Sequence, residues 1–102
     1  MEMNELKNEL KELARRASTP LWSTEGKPKV ILAEVFHSTS GWAWDIYEIE
    51  ECSDGEIAMF GRVHGFESEM GYFYSSQFET LSQENLYLTL YPWNLPREAS
   101  AN

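Results

Sequence analysis

Trp42-Ala43-Trp44-Asp45-Ile46-Tyr47-Glu48-Ile49-Glu50-Glu51, then Cys52-Ser53-Asp54-Gly55-Glu56, then Ile57-Ala58-Met59-Phe60-Gly61-Arg62-Val63-His64 is the stretch that decides the fold. Two runs rich in aromatic and β-branched residues flank an Asp-Gly pair, which is a strong hairpin signal. The stretch therefore predicts two antiparallel strands, 42–51 and 57–64. Upstream, Lys29 to His37 contains the apolar run Val30-Ile31-Leu32-Ala33 and Val35-Phe36, suited to a central strand with one wet position at Glu34. Ser38-Thr39-Ser40-Gly41 turns it into the hairpin. Downstream, Gly65 breaks the third strand, Glu67 to Tyr74 makes a fourth, and Leu86 to Tyr91 makes a last one.

Helical spacing occurs at the amino terminus, where Leu6, Leu10, Leu13, Ala14 and Ala17 recur among charged residues. Residues 4–17 are read as an amphipathic helix, with Asn4 as its N-cap, Arg15 and Arg16 at its negative end, and Thr19-Pro20 as its stop. The segment 20–28 has turn chemistry, with Trp22 as its anchor. Ser76-Gln77-Phe78-Glu79 reads as a capping box that opens a short helix near residues 77–81. Pro92 and Pro96 end regular structure, leaving 97–102 as a frayed tail. The expected architecture is α+β: an amino-terminal helix packed on a four- or five-stranded, mainly antiparallel sheet, in a single domain spanning 1–102.

A 102-residue chain should bury roughly 65% of its unfolded surface, enough for one core. Cys52 is the sole cysteine, so neither an internal disulfide nor a thiolate zinc cluster can form. No apolar run marks Met1 to Lys11, so a soluble, cytoplasmic protein is expected, without a signal peptide or membrane span.

Charge is uneven. From Val30 onward there are twelve Asp or Glu and only Arg62 and Arg97 as basic residues, a net of minus ten, whereas the first 29 residues are nearly neutral. Such a chain repels phosphate polymers and anionic lipid and attracts basic surfaces. Direct nucleic-acid binding and membrane binding are disfavoured, and a protein partner with a basic surface is favoured. Alternation places Trp42, Trp44, Ile46, Glu48 and Glu50 on one strand face. The tryptophan end should pack under the helix and the glutamate end should project into solvent beside the Asp54 loop. Glu48 with Glu50, and Glu67 with Glu69, then make rows about 6.6 Å in step. With Asp54 and Glu56 they could imitate a run of phosphates, spaced about 3.4 Å along a DNA strand. Trp93, between two prolines, is the candidate for an exposed aromatic anchor, while Gly71-Tyr72-Phe73-Tyr74 reads as sheet core.

Chemistry is weakly signalled. Glu48 with Glu50, or Glu67 with Glu69, has the composition of a general acid and base pair. His37 and His64 both close strands and would meet near Glu67 if those ends were adjacent, in the manner of a metal site. Cys52 lies among Glu50, Glu51 and Asp54, which raise its thiol pKa and disfavour a nucleophilic role. The expectation is thus no catalytic residue, no metal and no cofactor. The leading reading is a non-enzymatic acidic protein docking through Glu48, Glu50, Asp54, Glu56, Glu67, Glu69 and Trp93. A small carboxylate- or metal-dependent hydrolase and a homodimeric structural or regulatory subunit are the alternatives.

Five blocks in order, Pro20-Leu21-Trp22-Ser23-Thr24-Glu25, Val35-Phe36, Ser40-Gly41-Trp42-Ala43-Trp44, Phe60-Gly61-Arg62-Val63-His64-Gly65 and Glu69-Met70-Gly71-Tyr72-Phe73, carry a resemblance. The chain resembles, over residues 20–81, the uncharacterised bacterial family known as domain of unknown function 2958. That resemblance implies carriage on conjugative elements or phages, near anti-restriction or plasmid-maintenance genes. It implies no activity. Beyond Leu81 the chain departs from the family pattern. Joined to the charge, the resemblance implies an inhibitor or modulator of a defence protein, a DNA mimic being one form.

Overall fold

The computed structural model describes residues 2–79 and 88–92. Helix α1 (Met3–Ala17) is followed by strands β1 (Ala33–His37), β2 (Trp42–Glu51), β3 (Ile57–His64), β4 (Ser68–Tyr74) and β5 (Leu88–Pro92). A short helix, residues 75–79, continues directly from β4. The strands form one sheet in the order β4-β3-β2-β1-β5, with every neighbouring pair antiparallel. The fold is α+β, an amino-terminal helix on a five-stranded open sheet.

Leucines at i, i+4 and i+7 decide which face of α1 turns inward, because those positions share one side of a helix. Leu6, Leu10 and Leu13 are buried against Ala33, Val35, Trp44, Ile46, Ile49, Met59 and Phe73. Helix 75–79 closes the same core with Phe78, whose ring meets Trp44 edge-on at 5.0 Å and Phe73 at 6.3 Å. Asn4 is not the cap: α1 starts one residue earlier, Glu2 is the flanking residue, and no side chain caps it. At the other end Ser18 takes a left-handed conformation, the Thr19 hydroxyl donates to the Ala17 carbonyl, and Pro20 follows.

Register assigns each residue to one of two faces. Ala33, Val35 and His37 oppose Ile46, Trp44 and Trp42, which puts all of these on the helix face. On the back face Glu34 opposes Asp45, Asp45 opposes Arg62, and Ala43 opposes His64. A β-bulge between Ile46 and Glu48 inserts Tyr47 as an extra residue. Because the side-chain period is two, one inserted residue exchanges the faces of everything after it. Ile49 thereby reaches the core, and Glu48 and Glu50 leave the tryptophan face for the back face.

β1 begins at Ala33 and not at Lys29 because, past Ile46, the neighbouring edge of β2 is taken by the incoming loop. There the Ile49 N–H donates to the Thr19 carbonyl at 2.8 Å. Gly61 shows how tightly the bulge packs: a Cβ there would stand 1.7 Å from the Asp45 carbonyl oxygen. The short helix predicted near 77–81 starts earlier, at residue 75, and its end lies outside the described residues. So do residues 86 and 87 of the last predicted strand and the tail 97–102.

Candidate functional site

The acidic residues singled out from sequence have separate fates. Glu48 is 3% exposed. Its Oε1 accepts the Trp22 N–H at 2.8 Å, and its Oε2 accepts the Thr24 N–H at 3.0 Å and the Thr24 hydroxyl, with Lys29 Nζ at 3.8 Å. Burial works against ionisation, but these three donors and Lys29 bring the carboxyl below its ordinary pKa. Glu50 accepts the Leu21 N–H at 2.9 Å. The glutamate end of β2 therefore does not project into solvent. It pins the 20–29 loop across the back face, and Trp22 is held by its backbone in a left-handed conformation with φ 72°.

Asp54 and Glu56 are occupied too. Asp54 Oδ1 accepts the Glu56 N–H at 2.9 Å inside the β2–β3 turn, where Gly55 supplies a positive φ. Glu56 accepts the Ser75 hydroxyl and, at 2.8 Å, the Ser76 N–H, while Ser75 Oγ accepts the Ile57 N–H at 3.0 Å. The Ser75 bond, partly opposed by burial, holds the Glu56 carboxyl below its usual pKa. The capping box read at Ser76–Glu79 is displaced: Gln77 Oε1 reaches back to the Tyr74 N–H at 2.7 Å, and the capping carboxylate arrives from the hairpin. Cys52 beside this turn has its thiol pKa pushed up, by burial first and then by Asp54, Glu50 and Glu56.

Glu67 and Glu69 remain exposed and lie on the other side of the sheet from Glu48 and Glu50. Glu69 opposes Val63 on the helix face. With Glu67, Trp42, Val63, Gly65 and Phe66 it lines a hollow of about 300 Å³. Phe66 forms the rim at 96% exposure, its ring edge-on to Trp42 at 5.5 Å. Gly65 permits that arrangement, since a Cβ there would meet the Trp42 ring at 2.6 Å. The two acidic rows thus share no face. Trp93 lies outside the described residues.

Tyr72 and Tyr74, read as core, are exposed on the back face; only Phe73 of that run is buried. The Trp22 ring meets Tyr72 at a tilt with 5.6 Å between centroids, Tyr72 meets Phe60 likewise at 4.9 Å, and Lys29 Nζ stands 5.8 Å over the Phe60 ring.

Comparison with protein-family models, curated proteins and solved structures returns no match. No helix among the described residues is long and apolar enough to cross a membrane.

The two histidines do not meet. His37 is buried on the helix face, its Nδ1 2.7 Å from Ser40 Oγ, whereas His64 stands on the back face. Among the described residues no group of three or more His, Cys, Asp or Glu is arranged to hold a metal ion. His64 belongs instead to a polar line that the sequence reading missed. Glu34 of β1 hydrogen-bonds Asp45 of β2, Asp45 Oδ2 lies 2.7 Å from His64 Nε2 of β3, and His64 Nδ1 lies 3.4 Å from Ser68 Oγ of β4. Arg62 Nη1 donates to the same Ser68 Oγ at 3.2 Å. Burial first, and then the hydrogen bond and charge of Asp45, raise the Glu34 pKa. The signal available in sequence was the register: once Glu34 is set opposite Asp45, the polar residues of four strands fall into line.

Proposed function

We propose that this is an acidic binding protein that docks the β3–β4 end of its sheet, Phe66 with Glu67 and Glu69, on a basic surface of another protein. The observation that carries the reading is Phe66, 96% exposed between a hollow and two free carboxylates. A phenylalanine left wholly in water is costly unless something covers it, at about 25 cal/mol per Å² of apolar surface. Aromatics at interface centres with charges at the rim are the usual anatomy of a specific contact. The net charge of minus nine supports a basic partner, drawn in by long-range attraction.

The imitation of a run of phosphates draws less support, since Glu48, Glu50 and Glu56 are engaged within the fold. In the mobile-element context that the resemblance to domain of unknown function 2958 implies, the basic partner is a nucleic-acid-binding defence protein and the effect is inhibition or modulation. Paired capture from cell lysate tests the reading, with the wild-type chain and the F66S/E67K/E69K variant as baits. The expected result is a partner held by the wild type at low salt, released at 1 M salt and absent from the variant. Capture that ignores both salt and the three substitutions contradicts it.

A further inference from the structure

We propose that Ser68 is a nucleophile, and that the back face of the sheet is an acyl-transfer site for aryl esters. The docking reading concerns the opposite face, and this inference does not rest on it.

The geometry is that of a serine, a histidine and a carboxylate in mutual contact, recognised by roles and not by order in the chain. Asp45 accepts from His64 Nε2, which places the ring proton there and leaves Nδ1 bare to accept from Ser68. The 3.4 Å Ser68–His64 separation is of the loose kind that unliganded pairs show before substrate tightens them. Arg62 Nη1 donates to Ser68 Oγ at 3.2 Å, so its positive charge lies beside the attacking atom, next to the carbonyl on which negative charge would develop. Each of β1 to β4 supplies one member of the line, on rigid strands rather than loops. Ser68, Met70 and Tyr72 alternate on the back face of exposed β4, giving an apolar shelf of Met70 and Tyr72 beside the hydroxyl. That exposed apolar surface is what an aryl group would rest on.

In the first step a bond forms between Ser68 Oγ and the ester carbonyl carbon, the Ser68 proton passes to His64 Nδ1, and the carbonyl electron pair collects on oxygen beside Arg62. The tetrahedral species then collapses; the bond from carbon to the aryl oxygen breaks, and the leaving oxygen takes the proton from His64. Water repeats the sequence on the acyl-Ser68, yielding a carboxylic acid and free Ser68. Ser68, His64 and Arg62 are the catalytic residues; Asp45 and Glu34 are positioning residues.

The test uses the whole chain, a fluorophosphonate probe and p-nitrophenyl acetate. The expected result is one phosphonyl adduct, mapped by mass to Ser68, with S68A unlabelled and H64Q labelled about 100-fold more slowly. No adduct, or a Ser68 adduct whose rate ignores H64Q, overturns the proposal. Nitrogen-15 NMR of the wild-type imidazoles reads the positioning without relying on any variant. His64 should carry its proton on Nε2, and D45N, if folded, should move it to Nδ1; a wild-type proton on Nδ1 overturns the assignment.

Discussion

The Glu48 carboxylate accepts the Trp22 backbone N–H at 2.8 Å across 26 residues of chain, and this contact ties the connection after α1 to the bulged strand. Without the bulge Glu48 would fall on the helix face beside Ile46. With it, one carboxylate satisfies three donors of a loop whose own backbone bonds are the short turns closed by Ser23, Glu25 and Lys27. Removing it should be costly. Glu48→Ala is expected to destabilise the fold by about 2–4 kcal/mol, since it strands donors that were charge-assisted, and Glu48→Gln by about 1–2 kcal/mol. Urea unfolding measures both, and a Glu48→Ala midpoint equal to wild type would contradict the assignment.

Stability should depend on pH from two directions. Glu48 and Glu56 have folded-state pKa values below their unfolded ones. Their contribution is complete above the unfolded value of about 4.3 and is lost as pH falls through the lower folded values. Glu34 is shifted the other way, so its contribution is complete below the unfolded value and is lost as pH rises through its raised folded pKa. Melting temperature should therefore peak in mild acid, and Glu34→Gln should remove the decline on the neutral side. A Glu34→Gln profile that declines as the wild type does would contradict this.

The positions of the elements were legible because each rests on local chemistry. Asp54-Gly55 marks the hairpin, and Leu6, Leu10 and Leu13 mark the helix face, with no help from distant residues. The back face was not legible, because the bulge at Tyr47 depends on how β2 meets β3. A strict period of two therefore sends Glu48 and Glu50 to the wrong side. The same limit hid the Glu34–Asp45–His64–Ser68 line. Its members are separated in sequence, and only strand register sets them together. Phe66 read simply as one aromatic among many, since nothing local distinguishes a rim from a core position in a Gly-Phe-Glu turn.

Gly61 and Gly71 face one another across β3 and β4 yet should respond oppositely to alanine. Gly61→Ala forces a Cβ into the Asp45 carbonyl at 1.7 Å and should cost about 3 kcal/mol or more. Gly71→Ala meets nothing within 4 Å and should be neutral or stabilising by about 0.5–1 kcal/mol. Equal denaturation midpoints for the two variants would contradict the bulge geometry.

Phe66, in contrast, should be dispensable for folding. Phe66→Ser removes a side chain already in water, so its melting temperature should equal the wild-type value or exceed it slightly. A loss comparable to that of Gly61→Ala would mean that Phe66 holds the fold and is not kept for a partner.

The docking claim is tested most directly by placing the photo-crosslinker benzoylphenylalanine at position 66, with the same replacement at exposed Glu9 of α1 as control. Binding through the β3–β4 end of the sheet predicts a covalent adduct with a basic protein from position 66 at low salt, its loss at 1 M salt, where the screening length is about 3 Å, and none from position 9. No adduct at position 66, or equal yields from both positions at either salt, would contradict it.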